Sequence, residues 1–271
     1  MTEHTAAQSL LRLLNLMETL RHPENGCPWD RQQAFSTIAP YTIEEAYEVA
    51  DAIGRNDLSA LKEELGDLLF QVVFHSRMAE EAGEFAFDDV VRAICEKMES
   101  RHPHVFGSER IETAEQQASA WEQHKHRERT AKYQQPRSVL DDVTVALPAL
   151  TRAAKLGRRA ATVGFEWPDV SGALNKTEEE IREVRAAIEQ NTSAVEIEDE
   201  LGDLLFCVVN LCRHTKVDPE AALRKTNLKF ERRFRHVEAS LQAQGRTLQD
   251  STLEEMDRYW DEAKRLEKQI K

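Results

Sequence analysis

The sequence predicts an all-α protein made of two tandem helical-bundle modules, and three observations carry that prediction. Charged residues make up 31% of the 271, and only ten Gly and eight Pro interrupt the chain; this mix favours long helices over many short strands. One ten-residue segment occurs twice: Glu64–Val73 reads ELGDLLFQVV and Glu200–Val209 reads ELGDLLFCVV, identical at nine of ten positions and 136 residues apart. The residues around both copies keep helical rather than alternating apolar spacing.

The elements follow in chain order. Leu10, Leu13, Leu14, Met17 and Leu20 share one helix face, and Ala46–Ile53, Leu58–Ala79 and Phe87–Met98 read as further helices. In the second half Ala173–Ile188, Ala194–His214 and Pro219–Leu241 do the same. Asp57 and Ser193 are suited to cap the helices that follow them, with Ser193-Ala-Val-Glu196 forming a capping box. Asp218-Pro219 reads as an N-cap with Pro at the first helical position.

The repeat extends beyond the ten residues. EEAYEV at Glu44–Val49 matches EEIREV at Glu179–Val184, and Trp29 and Trp167 precede the two copies. Downstream, Lys97–Arg101 aligns with Lys229–Arg233, and Trp121 and Lys125 align with Trp260 and Lys264. The order of these matches is kept, so the expected modules are residues 1–135 and 136–271, joined near Tyr133–Leu147, where Pro136 stops the preceding helix.

Composition narrows the function. Acidic residues outnumber basic ones 49 to 36, for a formal charge of −13. Such a chain repels bare polyanions, so no nucleic-acid partner is expected, and a polyphosphate ligand needs a mediating cation. Cys27, Cys95, Cys207 and Cys212 form no CxxC pair and no zinc spacing, which suits free thiols in a reducing compartment. With no apolar run of 18 residues and no apolar signal region, the expectation is a cytoplasmic protein with no membrane partner.

Spacing then predicts a carboxylate cluster in each module. Glu44, Glu45 and Glu48 lie within about one turn (~3.6 residues) of a helix, and Glu64 and Asp67 share a face of the next one. A short connection makes the two helices antiparallel neighbours. About a midpoint at Asn56, Glu48 faces Glu64 and Glu45 faces Asp67. About a midpoint at Asn191–Thr192, Glu183 faces Glu200 and Glu180 faces Asp203. An acidic helix face is ordinarily a solvated one. Here, however, Glu200 and Asp203 interrupt the apolar stretch LGDLLFCVVNL, read as buried, where acids are costly. Like charges so close require a counter-ion. All-oxygen ligation indicates a hard cation, Mg²⁺ with Mn²⁺ as a substitute, not zinc.

The motifs GCPWD (Gly26–Asp30), EExxE (Glu44–Glu48), ELGDLLF (Glu64–Phe70) and RHPHVF (Arg101–Phe106) together resemble the MazG family of nucleotide pyrophosphohydrolases. In the second half VGFEW (Val163–Trp167), EExxE (Glu179–Glu183), ELGDLLF (Glu200–Phe206) and KFERRF (Lys229–Phe234) do so again, so the resemblance covers nearly the whole chain. It implies an all-α fold in which helices of two subunits complete each bundle, hence a homodimer. It also implies Mg²⁺-dependent hydrolysis of ribo- and deoxyribonucleoside triphosphates to the monophosphate and pyrophosphate.

On that resemblance the metal ligands are Glu180, Glu183, Glu200 and Asp203, with Glu45, Glu48, Glu64 and Asp67 as their first-module counterparts. Glu179 or Glu180 is expected to orient or deprotonate the attacking water. Lys176, Lys229 and Arg233, with Glu179, Asn227 and Arg232, form the expected nucleotide-binding set, and Trp260 and Lys264 the base end. Solvent-facing charge is the plain alternative for Lys229, Arg232 and Arg233, and packing is the plain alternative for Trp260. Trp29 and Trp167 are expected to anchor loops against the core.

The modules are not equal. Lys176 precedes Glu179 by three residues, whereas Tyr41 stands at the matching place before Glu44; Asn227 corresponds to Cys95. The second module is therefore the expected main nucleotide site, and the first a structural, regulatory or differently tuned one. One departure affects affinity: Glu196 stands where family members carry Lys. Two other functions compete, a housecleaning pyrophosphatase restricted to non-standard or deoxy nucleotides and a non-catalytic helical partner-binding protein.

Overall fold

A computed structural model describes residues 5–108, 110, 113, 117 and 138–269. Trp121, Lys125 and residues 133–137 of the expected join lie outside the described residues. The chain divides into two compact units, Met1–Gln134 and Gln135–Lys271, and among the described residues every regular element is a helix.

The first unit contains α1 (Ala6–Leu20), α2 (Pro28–Gln32), α3 (Phe35–Arg55), α4 (Leu58–Glu81), α5 (Phe87–Arg101) and α6 (Pro103–Phe106). Its centre is the antiparallel α3–α4 hairpin, on which α1 and α5 pack. Asn56 closes the hairpin with φ 56° and ψ 33°, a left-handed geometry that Asn tolerates better than most residues. Asp57 then caps α4, its Oδ1 accepting from the backbone N–H groups of Ser59 and Ala60. α3 begins eleven residues before the expected start at Ala46, with Pro40 inside it. Burial explains the extension, since Ile38 is fully packed into the core with Met17, Val73, Phe74 and Met78. Each such side chain contributes about 1.5–3 kcal/mol when buried. Arg21, the C-cap of α1, ties this core to the end of α4 through a 2.6 Å ion pair with Glu81.

The second unit contains α7 (Ala149–Ala161), α8 (Val170–Glu189), α9 (Ala194–His214), α10 (Pro219–Gln242) and α11 (Leu253–Gln269). α8 and α9 repeat the antiparallel hairpin, and α7 packs on α9 as α1 packs on α4. Asn191 turns the hairpin with φ 52°. Ser193 and Glu196 form the capping box, with Oγ of Ser193 accepting from Glu196 N and Oε2 of Glu196 accepting from Ser193 N. Glu196 is thus engaged at the helix start. Asp218 accepts from Ala221 N, with Pro219 at the first helical position. α10 and α11 pair around Val237, Leu241 and Tyr259.

One expectation changes here. The ELGDLLF stretches are not buried in the single chain: Leu65, Leu69, Leu201, Leu205 and Phe206 are each more than two-fifths exposed, and Val209 is the one buried residue of α9. The hairpin covers one face of each helix and leaves the other open. The two early tryptophans, expected to anchor loops against the core, are each only partly covered. Trp29 is half exposed with its edge toward Tyr41. Trp167 lies across the backbone of Gly172, where a Cβ would come within 2.9 Å of the indole.

Candidate metal and nucleotide site

The hairpins bring three carboxylates together in each unit. Oxygen atoms of Glu45, Glu48 and Glu64 lie within 4.8 Å of one another, as do those of Glu180, Glu183 and Glu200. The EExxE acids come from α3 and α8, and the third acid comes from the ELGD segment opposite. Asp67 and Asp203 are not within that reach, although Asp67 is close enough to act electrostatically on both Glu45 and Glu64.

Lost hydration and mutual repulsion govern these groups. Desolvation, then the charges of Asp67 and Glu48, hold the Glu45 carboxyl above its ordinary range. Desolvation, then Glu48 and Asp67, do the same to Glu64. In the second unit desolvation and the neighbouring Glu180 push Glu183 up. Carboxylates that repel one another in this way fit a divalent cation, which converts the repulsion into ligation. The donors are oxygens on short, opposed helix faces, which suits a hard ion.

The two centres differ in what holds them. Nζ of Lys176 lies 2.6 Å from Oε1 of Glu179 and 2.7 Å from Oε1 of Glu180. These hydrogen bonds raise the ammonium pKa and lower that of Glu179. Glu180 is only 4% exposed. In the first unit Tyr41 stands in place of Lys176, and the amide of buried Gln71 donates to Oε1 of Glu45 at 3.4 Å. Gln71 is the residue that differs between the two ten-residue repeats, Cys207 being its counterpart. The Cys207 thiol is pushed up by burial and by the charge of Glu180.

The remaining expected residues form a separate group on α10 and α11. Arg232 and Arg233 both donate to Glu267, Arg232 to Oε1 and Arg233 to Oε2, at 2.5 to 3.0 Å. The Arg233 guanidinium lies 5.6 Å from the Trp260 ring centre, and Phe230 lies 5.2 Å from it. Trp260 thus packs against the α10–α11 core as well as bordering Arg233. Lys264 pairs with Asp261 at 2.8 Å. Asn227 is exposed and Lys229 half-buried on α10. Among the described residues, no hydrogen bond or ion pair joins this group to the three-acid cluster. Glu267 is the partner that sequence reasoning missed; it lies 34 residues from Arg233, and no local pattern connects them.

A cavity of about 540 Å³ also went unforeseen. It is lined by Leu156, Phe206, Trp167, Asn210 and Arg213 among others, beside α9. Arg213 is held there by Glu166 and by the Asn210 amide oxygen. In the first unit the position of Asn210 is occupied by Phe74, which fills the corresponding core.

An all-helical chain that twice gathers carboxylates across a hairpin has the construction of a helical hydrolase with acid centres. The family model of the MazG nucleotide pyrophosphohydrolase domain matches it twice, over residues 33–106 and 171–238. The chain belongs to the MazG family and is an enzyme, a nucleotide pyrophosphohydrolase. The nucleoside triphosphate pyrophosphohydrolase of Escherichia coli K12 is 50% identical over 94% of this chain and 97% of its own length. The nucleoside triphosphate pyrophosphohydrolase/pyrophosphatase MazG of Thermotoga maritima is 42% identical over 93% and 94%. A crystal structure of a MazG-related protein from Thermotoga maritima covers 43% of this chain and 98% of its own at 30% identity, with a TM-score of 0.37.

Proposed function

We propose that the chain hydrolyses ribo- and deoxyribonucleoside triphosphates to the monophosphate and pyrophosphate with Mg²⁺, replaceable by Mn²⁺. The observation that carries this reading is the Glu180–Glu183–Glu200 cluster, within 4.8 Å and with Lys176 at its edge. Glu180, Glu183 and Glu200 hold the cation, and Asp203, outside the three-acid cluster in the metal-free chain, swings in to complete the set; Glu45, Glu48, Glu64 and Asp67 are the matching set in the first module. Bound there, Mg²⁺ supplies charge neutralisation on the triphosphate and an acidified water.

The chain's own residues do the rest. Glu179, exposed and held by Lys176, or Glu180 orients the water and takes its proton as it attacks the α-phosphorus in line. Lys176 moves from the carboxylates to the phosphates, which leaves Glu179 free to act as base. Asn227, Lys229, Arg232 and Arg233 bind the remaining phosphate charge, the two arginines by exchanging Glu267 for phosphate oxygens. Trp260 and Lys264 border the base. The second module is the main catalytic one, because among the described residues it is the one in which a lysine sits on the acid cluster. The module limits are residues 1–135 and 136–271.

The exposed leucines of ELGDLLF support a homodimer in which a second copy covers them. All four cysteines are free thiols, which supports a cytoplasmic setting. Among the described residues no helix is long and apolar enough to cross a membrane, and the net charge of −13 disfavours nucleic acid.

The test is to incubate the protein with Mg²⁺ and each triphosphate and identify the products by ³¹P NMR. Monophosphate plus pyrophosphate supports the reading. Diphosphate plus orthophosphate, or no turnover in any metal, overturns it.

A further inference from the structure

The single difference between the two ten-residue repeats falls at the acid centre. Seven residues after Glu64 stands Gln71; seven residues after Glu200 stands Cys207. Gln71 is 7% exposed, its Nε2 donates to Oε1 of Glu45, and its buried Oε1 has no partner. A buried amide oxygen without a donor is costly, and the hydration shell of a cation held by Glu45, Glu48 and Glu64 supplies donors. Gln71 is neutral, so it braces Glu45 without cancelling any of the cluster's charge.

The second centre is braced by a charge instead. Lys176 sits on Glu180 at 2.7 Å and on Glu179 at 2.6 Å, and Cys207 offers no amide. A cation entering that centre must overcome the repulsion of the ammonium and take over an oxygen that the ammonium already binds. A triphosphate arriving with the cation gives Lys176 a new partner, so the two ligands assist each other. In the first centre Tyr41 stands at the matching position; among the described residues no ammonium sits on its carboxylates, and Arg55 acts on Glu64 only through its charge, being paired with Asp51.

We infer that the Glu45–Glu48–Glu64 centre binds a divalent cation by itself, braced by Gln71, whereas the Glu180–Glu183–Glu200 centre is held shut by Lys176 and takes its cation together with a triphosphate. Lys176 then couples metal to nucleotide by exchanging Glu180 for phosphate, and Gln71 is its neutral counterpart in a centre kept loaded without nucleotide. This rests on the metal-dependent reading above.

The experiment measures Mn²⁺ binding without nucleotide, by calorimetry and by the EPR signal of free Mn²⁺. Glu183→Gln/Glu200→Gln protein isolates the first centre, and Glu48→Gln/Glu64→Gln protein isolates the second. The first centre is expected to bind Mn²⁺ about tenfold more tightly, a coupling of ordinary size. Lys176→Met in the second background is expected to close that gap, with Lys176→Gln as a second variant should the first fold poorly. Tyr41→Lys in the first background is expected to weaken Mn²⁺ binding there and so to close the gap from the other side. Equal affinities of the two isolated centres, or a Lys176→Met protein with unchanged affinity, overturns the inference and leaves the hydrolase reading standing. Absence of Mn²⁺ from both centres of the wild type without nucleotide also overturns the inference; absence from both in the presence of a triphosphate overturns the metal-dependent reading as well.

Discussion

Nζ of Lys176 sits 2.7 Å from Oε1 of Glu180, a carboxylate that is 4% exposed and belongs to the three-acid cluster of the second unit. One ammonium, three residues ahead of Glu179 in the same helix, thus occupies a carboxylate of the cluster proposed to hold the cation. In the proposed mechanism the same lysine changes partners. Lys176→Met is expected to raise KM for a triphosphate about tenfold or more, the usual loss when a charge-assisted contact of about 1.5–3 kcal/mol is removed. Steady-state kinetics on wild type and variant check this; an unchanged KM removes the phosphate role from the lysine.

Division of labour between the modules is tested at equivalent positions. Glu200→Gln is expected to lower kcat/KM at least 100-fold, a loss of about 2.7 kcal/mol or more in transition-state stabilisation. Glu64→Gln is expected to leave it within about threefold, since the second centre would be intact. The reverse pattern would falsify the assignment of the main site to the second module.

Cluster repulsion has a definite pH signature in metal-free protein. The folded-state pKa of Glu183 is raised by desolvation and by Glu180, so folding favours its protonated form. Its stability contribution is present below its unfolded pKa and is lost as pH rises through the higher folded value. In EDTA, Glu183→Gln protein is therefore expected to melt above wild type at neutral pH, with the gap closing as pH falls through the raised range. Saturating Mg²⁺ is expected to reverse the order at neutral pH, because ligation requires the carboxylate. Thermal melts across pH, with and without Mg²⁺, measure both arms.

Capping offers a stability test away from the chemistry. Asp57 accepts from two backbone N–H groups at the start of α4, and Ser193 shares a reciprocal box with Glu196 at the start of α9. Asp57→Ala and Ser193→Ala are each expected to cost about 1 kcal/mol in urea unfolding. A change below about 0.3 kcal/mol in either would show the hairpin turn to be held by other contacts.

The core of the first unit is expected to be far less tolerant. Phe74 is fully buried against Met17, Ile38, Val73 and Met78, and Phe74→Ala is expected to cost about 3–5 kcal/mol. Asn210, at the same place in the second unit, borders a cavity, so Asn210→Ala is expected to cost well under 2 kcal/mol. Paired denaturation curves compare the two.

The sequence by itself determined the duplication, the helical class and the pairing of the acid helices, because each is a local property. A repeat is visible in the letters; periodicity and caps act within a few residues. The hairpin midpoints at Asn56 and Asn191 follow from counting along two helices of known rise, and both residues take the left-handed conformation. Tertiary structure decided which acids meet, placing Glu45, Glu48 and Glu64 within reach and leaving Asp67 outside it. It decided that Arg232 and Arg233 close on Glu267, and that Lys176 rests on Glu180 while Gln71 rests on Glu45 in the other unit. It also left the ELGDLLF leucines exposed where the apolar pattern implied burial. These outcomes depend on side-chain direction, competition among several charges for one partner, and the surface left uncovered when a chain packs only against itself. Linear spacing carries none of those three quantities.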